Sequence, residues 1–230
     1  SYTLSNDPTF LGKWRVIVSR VTNEIPLCET YFDVVDPASL SIQVLLPDSV
    51  TVNQPFQATS RLVNSGGSRV DTAYASVLTL DLGNVGTAVF NSGPSQGLVT
   101  VEPYSYTDIT WNYTAATPGS FTLHGSGYGV DSNDLRSLTA ATDTSNTCDI
   151  QTPPVLEVRN IVAAETQVYL NQHDLVVTMD IENTGQASIW LNTASLTFSL
   201  GTHYQTLENP ALPFLLAANT PVTFTFKVAV

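Results

Sequence analysis

The segment Val50-Thr-Val-Asn-Gln-Pro-Phe-Gln-Ala-Thr-Ser-Arg-Leu-Val-Asn-Ser-Gly66 comes back, in pattern, as Val168-Tyr-Leu-Asn-Gln-His-Asp-Leu-Val-Val-Thr-Met-Asp-Ile-Glu-Asn-Thr-Gly185. In each copy an Asn-Gln turn feeds a run that alternates with period two and closes on Asn-x-Gly. Alternation of this kind marks a strand with one face buried. Phe56, Ala58, Ser60 and Leu62 fall on Leu175, Val177, Met179 and Ile181 at an offset of 119 residues, and Val52-Asn53-Gln54 falls on Leu170-Asn171-Gln172 at 118. Further on, Leu78-Thr-Leu-Asp-Leu-Gly83 matches Leu196-Thr-Phe-Ser-Leu-Gly201, again at 118. Ile109-Thr-Trp-Asn-Tyr113 then resembles Val222-Thr-Phe-Thr-Phe226. Matches that recur in order at a near-constant offset are the signature of a tandem repeat.

Outward from this pair, the same chemistry fills the chain. Alternating runs at Ile109–Tyr113, Leu175–Glu182 and Val222–Val228 are separated by turn clusters such as Asn91-Ser-Gly-Pro and Thr117-Pro-Gly. Gly and Asn supply positive φ at such turns and Pro presets φ. Strands at this spacing predict an all-β fold of Ig-like sandwiches. Ser137–Thr142 is the best helical candidate, and it is short. Two proline sites, Val35-Asp36-Pro37 and Thr152-Pro153-Pro154, read as domain joints, and each precedes an extended apolar segment that would open a sandwich.

The ends of the chain read as two parts of one more sandwich. Gly12-Lys-Trp-Arg-Val16 resembles Gly119-Ser-Phe-Thr-Leu123, and Cys28 stands before the Pro37 joint as Cys148 stands before the Pro153 joint. Residues 1–36 thus correspond to terminal strands whose beginning is missing, 37–153 to a complete sandwich, and 154–230 to first strands whose end is missing. The two outer pieces together hold 113 residues, close to the 117 of the middle unit. Residues 1–36 of a neighbouring unit, or a continuation of the chain, would complete 154–230. Trp14, Val16 and Val18 on one side, and Leu175, Val177, Ile181, Phe224 and Phe226 on the other, are the expected assembly residues. Trp111, Phe121, Leu62 and Leu123 are expected in the middle core, and Phe198 in the terminal one.

Composition narrows the function. The 230 residues are 43% hydrophobic, enough for real cores, and carry 8 Lys+Arg against 20 Asp+Glu, a net charge of −12. Phosphate recognition needs a basic stripe, so nucleic acid is not an expected partner. Lys13 and Lys227 are the only lysines, which leaves no polybasic membrane patch. No apolar run reaches the ~18–20 residues of a membrane span. The opening Ser1-Tyr-Thr-Leu-Ser-Asn-Asp-Pro8 reads as a mature or trimmed start rather than a leader.

The Asn-Gln turn, the alternating strand and the Asn-x-Gly closure resemble the Ig-like CARDB-type modules, the cell-adhesion-related β-sandwiches of bacterial and archaeal surface proteins. Pro118-Gly119 followed by Phe121 is similar to the penultimate strands of such modules. The resemblance implies tandem arrays on long extracellular proteins acting as stalks, fibres or adhesins, and it brings no catalytic residues. Trp111 lacks the flanking cysteine pair of antibody domains.

Site chemistry is sparse. His124, His173 and His203 are isolated, where zinc would need converging ligands. No Gly-x-Ser-x-Gly elbow occurs. Gly125-Ser-Gly-Tyr-Gly129 lacks the Lys and helix of a phosphate loop and reads as a place where a strand bulges or approaches a neighbour. An enzyme is not expected. Calcium is the one candidate cofactor: Asp131, Asn133 and Asp134 gather oxygen ligands within one loop, against the alternative of a plain Asx turn. Asn112 begins the only Asn-x-Ser/Thr acceptor and lies opposite Trp111 and Tyr113 on its strand, so an extracellular setting would allow glycosylation there. Cys28 and Cys148, placed in successive sandwiches, are not expected to bond within the chain, because a disulfide needs Cα atoms within about 7 Å. The expectation is a non-catalytic subunit of an extracellular surface fibre, sheath or stalk that polymerises head to tail with copies of itself through sandwich completion. The alternative is an adhesin region that binds a carbohydrate or host protein, with a glycan as its ligand.

Overall fold

A computed structural model describes residues 11–19, 26–81, 83–199 and 204–230, and the described residues are all-β. The first described elements are β1 (Gly12–Ser19) and β2 (Pro26–Val34), an antiparallel hairpin. The middle unit follows with β3 (Leu40–Leu45), β4 (Ser49–Thr51), β5 (Pro55–Asn64), β6 (Val70–Ala75), β7 (Thr79–Leu80), β8 (Thr87–Ser92), β9 (Val99–Val101) and β10 (Ser105–Thr117). It ends with β11 (Gly119–Phe121), β12 (Leu123–Asp131), β13 (Ser137–Thr144) and β14 (Cys148–Gln151). The last unit holds β15 (Leu156–Ala163), β16 (Leu175–Asn183), β17 (Ile189–Leu191), β18 (Gln205–Glu208), β19 (Phe214–Leu216) and β20 (Pro221–Ala229).

In the middle unit one sheet runs β3-β5-β10-β8 and faces a second, β13-β12-β6-β9, with β7 against β12; a small mixed sheet, β11-β14-β4, closes the side. The core between them includes Trp111, Phe121, Leu62 and Leu123, all buried as their strand phase predicts. Trp111 keeps its indole satisfied by donating to Ser60 Oγ at 3.1 Å. The glycine run in β12 acts by close approach: a Cβ on Gly127 would stand 2.7 Å from Leu62 Cδ2. Residues 137–142, the short helical candidate, lie in β13 instead. Their Thr residues suit a strand, and β12 offers an antiparallel ladder with one irregularity between Gly125 and Gly127.

The last unit repeats half of this design. Its larger sheet runs β15-β16-β20-β18, the same order as β3-β5-β10-β8, and β17-β19 stands where β6-β9 stands. The tightest link is the buried Asn of Asn-x-Gly. Asn64 Oδ1 accepts from the amides of Ser39 (3.2 Å) and Gly66 (3.0 Å), and Nδ2 donates to the carbonyls of Ser68 (2.7 Å), Glu102 (3.3 Å) and Val101 (3.4 Å). Asn183 Oδ1 accepts from Val155 and Gly185 (both 3.1 Å), and Nδ2 donates to Ala187 (2.8 Å) and Leu216 (3.5 Å). The glycine is obligatory because the chain entering each sandwich crosses it: a Cβ would lie 2.0 Å from the Pro37 carbonyl at Gly66 and 2.1 Å from that of Pro153 at Gly185.

The Asn-Gln turn repeats as faithfully. Asn53 and Asn171 take φ of 67° and 66°, a conformation that Asn tolerates. Gln54 and Gln172 each accept through Oε1 from the amide three residues back, at 2.9 Å. The amide of Asn53 donates to Ala115 O and that of Asn171 to Val230 O. This corrects one sequence alignment. Trp111 pairs with Ala58 as Phe226 pairs with Val177, so β20 matches β10 at an offset of 115 rather than 113. A slip of two residues preserves the side-chain face, which is why the alternation alone did not expose it.

Asn64→Ala leaves several buried amides and carbonyls without partners, at ~1–3 kcal/mol each. The middle sandwich should lose at least about 3 kcal/mol, read as a lowered urea midpoint at unchanged slope.

Candidate functional site

The described surface has one feature that the middle unit lacks, a sandwich face without its cover. In the middle unit β12 and β13 lie over β3, and Ile42 and Val44 are only 6% and 2% exposed. Ile42 pairs with Leu62 as Val158 pairs with Ile181, and Val44 pairs with Ser60 as Ile161 pairs with Met179. Val158 and Ile161 are each 56% exposed, and every residue of β15 is exposed. Of the expected assembly residues on this side, Leu175, Ile181, Phe224 and Phe226 are buried and Val177 is partly buried; Ile181, Phe224 and Phe226 form a small core with Met179 and Leu216, against which Val177 packs.

Beside that core opens a cavity of about 200 Å³, lined by Val168, Leu175, Val177, Phe198, Tyr204 and Val228 among others. Phe198 is partly buried and stacks on Tyr204 with ring centroids 5.1 Å apart. The corresponding place in the middle unit is filled. There Phe121 packs on Phe56 at 5.8 Å, and Phe56 stacks on Tyr113 at 5.7 Å. Phe56 pairs with Tyr113 as Leu175 pairs with Val228, so the cavity lies where an aromatic on β11 would reach.

The hairpin is the complement. One face carries Lys13, Arg15, Ile17, Glu29, Tyr31 and Asp33; the other carries Trp14, Val16, Val18, Cys28, Thr30, Phe32 and Val34, because directly paired residues share a face. Val16, Val18 and Phe32 are exposed, and Trp14 and Val34 are partly buried. Val16 and Val18, expected within a sandwich, are thus on the surface of the single chain, since β1 and β2 form a separate two-stranded sheet.

The register identifies what the hairpin matches. Gly12 (φ 116°) pairs with Val34 as Gly119 (φ 128°) pairs with Ile150, and Trp14 pairs with Phe32 as Phe121 pairs with Cys148. Val34 and Ile150 each stand three residues before the proline that crosses the Asn-x-Gly glycine. The Gly12-to-Trp14 correspondence therefore stands, but the residue equivalent to Cys148 is Phe32, not Cys28. A shared place before a joint misled here: Cys28 stands nine residues before Pro37, whereas Cys148 stands five before Pro153.

Both cysteines are free, Cys28 exposed and Cys148 buried. Burial, with Asp149 and Asp48 nearby, pushes the Cys148 thiol up to about 11, so it is a poor nucleophile. Asn112 lies on the outer face of β10, where its Nδ2 donates to Ser92 Oγ at 3.0 Å and its Oδ1 accepts from Gln57 at 3.3 Å. His173 is exposed and lies outside any strand; His203 falls outside the described residues.

The Asp131 loop is fastened by its own hydrogen bonds. Asp131 is buried; its Oδ2 accepts from the Ala38 amide (2.7 Å), and its Oδ1 from Ser68 Oγ (2.6 Å) and the Asn133 amide (2.9 Å). Asp134 Oδ1 accepts from the Arg136 amide at 2.9 Å. Donors thus engage both Asp131 oxygens and Asp134 Oδ1, the pattern of an Asx turn. Among the described residues no group of three or more His, Cys, Asp or Glu is placed to hold a metal.

One constellation was invisible in the sequence. Asp81 Oδ1 meets His124 Nδ1 at 2.5 Å, and His124 Nε2 meets Thr79 Oγ1 at 2.8 Å. Acid, imidazole and hydroxyl stand in the order of an acyl-transfer triad. However, the neighbouring amides of Thr122 and Leu123 are engaged by Asn84 Oδ1 and Ser145 Oγ, which removes them as oxyanion donors. Thr122 Oγ1 also donates to Asp81 Oδ2 at 2.5 Å, and the trio fastens β7 to β12. No spacing rule joins residues that lie 45 positions apart.

No family model matches the chain, and no curated protein matches it. Among solved structures it is similar to a protein of unknown function from Porphyromonas gingivalis, with 10% identity, 84% of this chain and 83% of that one covered, and a TM-score of 0.33. It is also similar to the ASH / PapD-like domain of human CEP192, with 8% identity, 47% and 83% covered, and a TM-score of 0.28. A third is the C-terminal domain of the AgI/II polypeptide BspA of Streptococcus agalactiae, with 13% identity, 83% of each chain covered, and a TM-score of 0.24. Likeness at that level bears on neither the fold nor the function, and the sandwich rests on the strand pairing above.

Asp131 gives the site a pH signature. Burial works to raise its pKa, but donors from Ser68, Asn133, Ala38 and Asp134 outweigh it and hold the carboxyl below the usual carboxylate range. Its stabilisation is therefore fully present above the ~3.9 of an unfolded aspartate and is lost as pH falls through the lower folded value. Asp131→Asn should lower the urea midpoint at pH 7, and the gap from the parent should narrow below about pH 4.

Proposed function

We propose that this chain is a non-catalytic structural subunit of an extracellular surface fibre, sheath or stalk, and that copies join head to tail when the hairpin of one completes the open sandwich of the next. The observation that carries this reading is the contrast between Ile42 and Val44, covered in the complete sandwich, and Val158 and Ile161, both 56% exposed in the open one. A large bare apolar face is costly in a soluble monomer, and a lone two-stranded hairpin is marginal in water. Each relieves the other. The contact joins two different surfaces, so it propagates as a filament instead of closing a dimer.

The acidic balance, the Thr- and Ser-rich strands and the resemblance to CARDB-type surface modules support an extracellular setting. Strand addition with main-chain pairing is an established recognition mode, and it requires no cofactor, metal or glycan.

Deleting residues 1–36 tests the reading. The parent chain should sediment as a concentration-dependent polymer and form filaments under the electron microscope. The deletion variant should stay monomeric, with its middle sandwich still unfolding cooperatively. A parent that stays monomeric at high concentration, or a deletion variant that still polymerises, overturns the proposal.

A further inference from the structure

Resting on that head-to-tail reading, we infer the register of the joint: Trp14 of a second copy enters the cavity beside Leu175 and Val228, and Val34 of that copy pairs in parallel with Val168.

The chain carries its own template for this contact. In the middle unit β14 runs parallel to β4, with Ile150 opposite Val50 and Asp149 opposite Ser49, while β11 pairs antiparallel on the other side of β14. Val34 is the hairpin's counterpart of Ile150 through the Gly12 and Gly119 pairings and the proline three residues on. Val168 is the counterpart of Val50, each three residues before the left-handed asparagine, Asn171 or Asn53. Val168 and its neighbours Tyr169 and Leu170 are exposed, and the Gln167–Tyr169 stretch lies outside any strand. The hairpin's last residues would make it one, with Asp33 opposite Gln167 and Val34 opposite Val168.

That register fixes where the aromatic goes. Two residues into β11 from its glycine stands Phe121, on Phe56; two residues into β1 from its glycine stands Trp14, aimed at Leu175, the counterpart of Phe56. The cavity of about 200 Å³ exceeds the ~150 Å³ that admits a benzene ring in an engineered core. Phe32, opposite Trp14, then covers the place that Cys148 fills in the middle unit. Along its length the donor hairpin presents apolar residues to the open face and leaves Lys13, Arg15, Glu29 and Asp33 in water. The second copy is also connected as the joint requires: its Pro37 crosses Gly66 as Pro153 crosses Gly185, so the chain leaves the composite sandwich as it leaves the intact one.

Directly paired parallel strands bring Cα atoms within the 4.4–6.8 Å of a disulfide. In a Cys28→Ser background, Val34→Cys with Val168→Cys should give, on mild oxidation, a ladder of covalent multimers on a denaturing gel. Each single-cysteine variant should stop at a dimer, and mass spectrometry should recover the 34–168 peptide pair. As an independent reading, Trp14→Ala should raise the concentration needed for assembly by about tenfold or more, as truncating a central interface aromatic does, and Trp14→Phe should change it by less than about threefold. Filaments that form without a 34–168 linkage, or that tolerate Trp14→Ala, overturn the register while leaving head-to-tail assembly intact. A parent chain that forms no filaments removes both.

Discussion

A single buried amide organises each sandwich. Asn64 and Asn183 are fully buried, and each ties the end of a long central strand to the incoming chain, to its own turn and to the opposite sheet. A buried polar group must be satisfied on all sides, so its position admits little variation in the segments around it. The glycine two residues on must lack a side chain, since the domain joint crosses it within van der Waals range. Turn, joint and sheet-to-sheet spacing thus follow from one residue, and having it twice makes the chain a repeat in three dimensions as well as in sequence.

The same constraint explains why the last unit can be half built and still recognisable. The strands that Asn183 holds, β15, β16, β17 and β19, are present in the order of their counterparts, with one irregularity at Arg159 in β15 that β3 lacks. Leu216, the counterpart of Val101, is fully buried. Among the described residues, nothing covers β15 and nothing pairs along Gln167–Tyr169. Open edges and bare apolar faces are pairing templates, and the hairpin at the other end of the chain has the glycine and the aromatic of the missing edge. Joined in this way, every sandwich in the assembly, intact or composite, would be followed by the same proline-over-glycine joint.

Much of this is legible in the sequence because turn chemistry is local. Asn53-Gln54 and Asn171-Gln172, Asn64-Ser-Gly and Asn183-Thr-Gly each demand a particular backbone, and the strand between them must alternate to bury one face. The alternation fixes which residues point inward, as Trp111, Leu62, Phe121 and Leu123 illustrate. It does not fix register along the strand, because a slip of two residues changes nothing on the inward face. Hence the alignment of Ile109–Tyr113 with Val222–Phe226 fell two residues short. Likewise Cys28 and Cys148 share a residue type and each precede a proline joint, yet the pairing with Gly12 and Gly119 puts Phe32 in the cysteine's place. The Thr79, His124 and Asp81 trio depends on two strands meeting at one register, which no local pattern encodes. The Asp131 loop gave its oxygens to the sequence reader, but not the amides of Ala38 and Asn133 that engage them.

The central claim is that residues 12–34 of one copy are the missing strands of another. A high-resolution electron cryomicroscopy map of the assembled protein tests it most directly. The account predicts continuous density for the hairpin inside the neighbouring copy's last sandwich, with the Trp14 side chain between Leu175 and Val228. A map in which residues 154–230 close their own apolar face, or in which the hairpin folds back on the sandwich of its own chain, would contradict it.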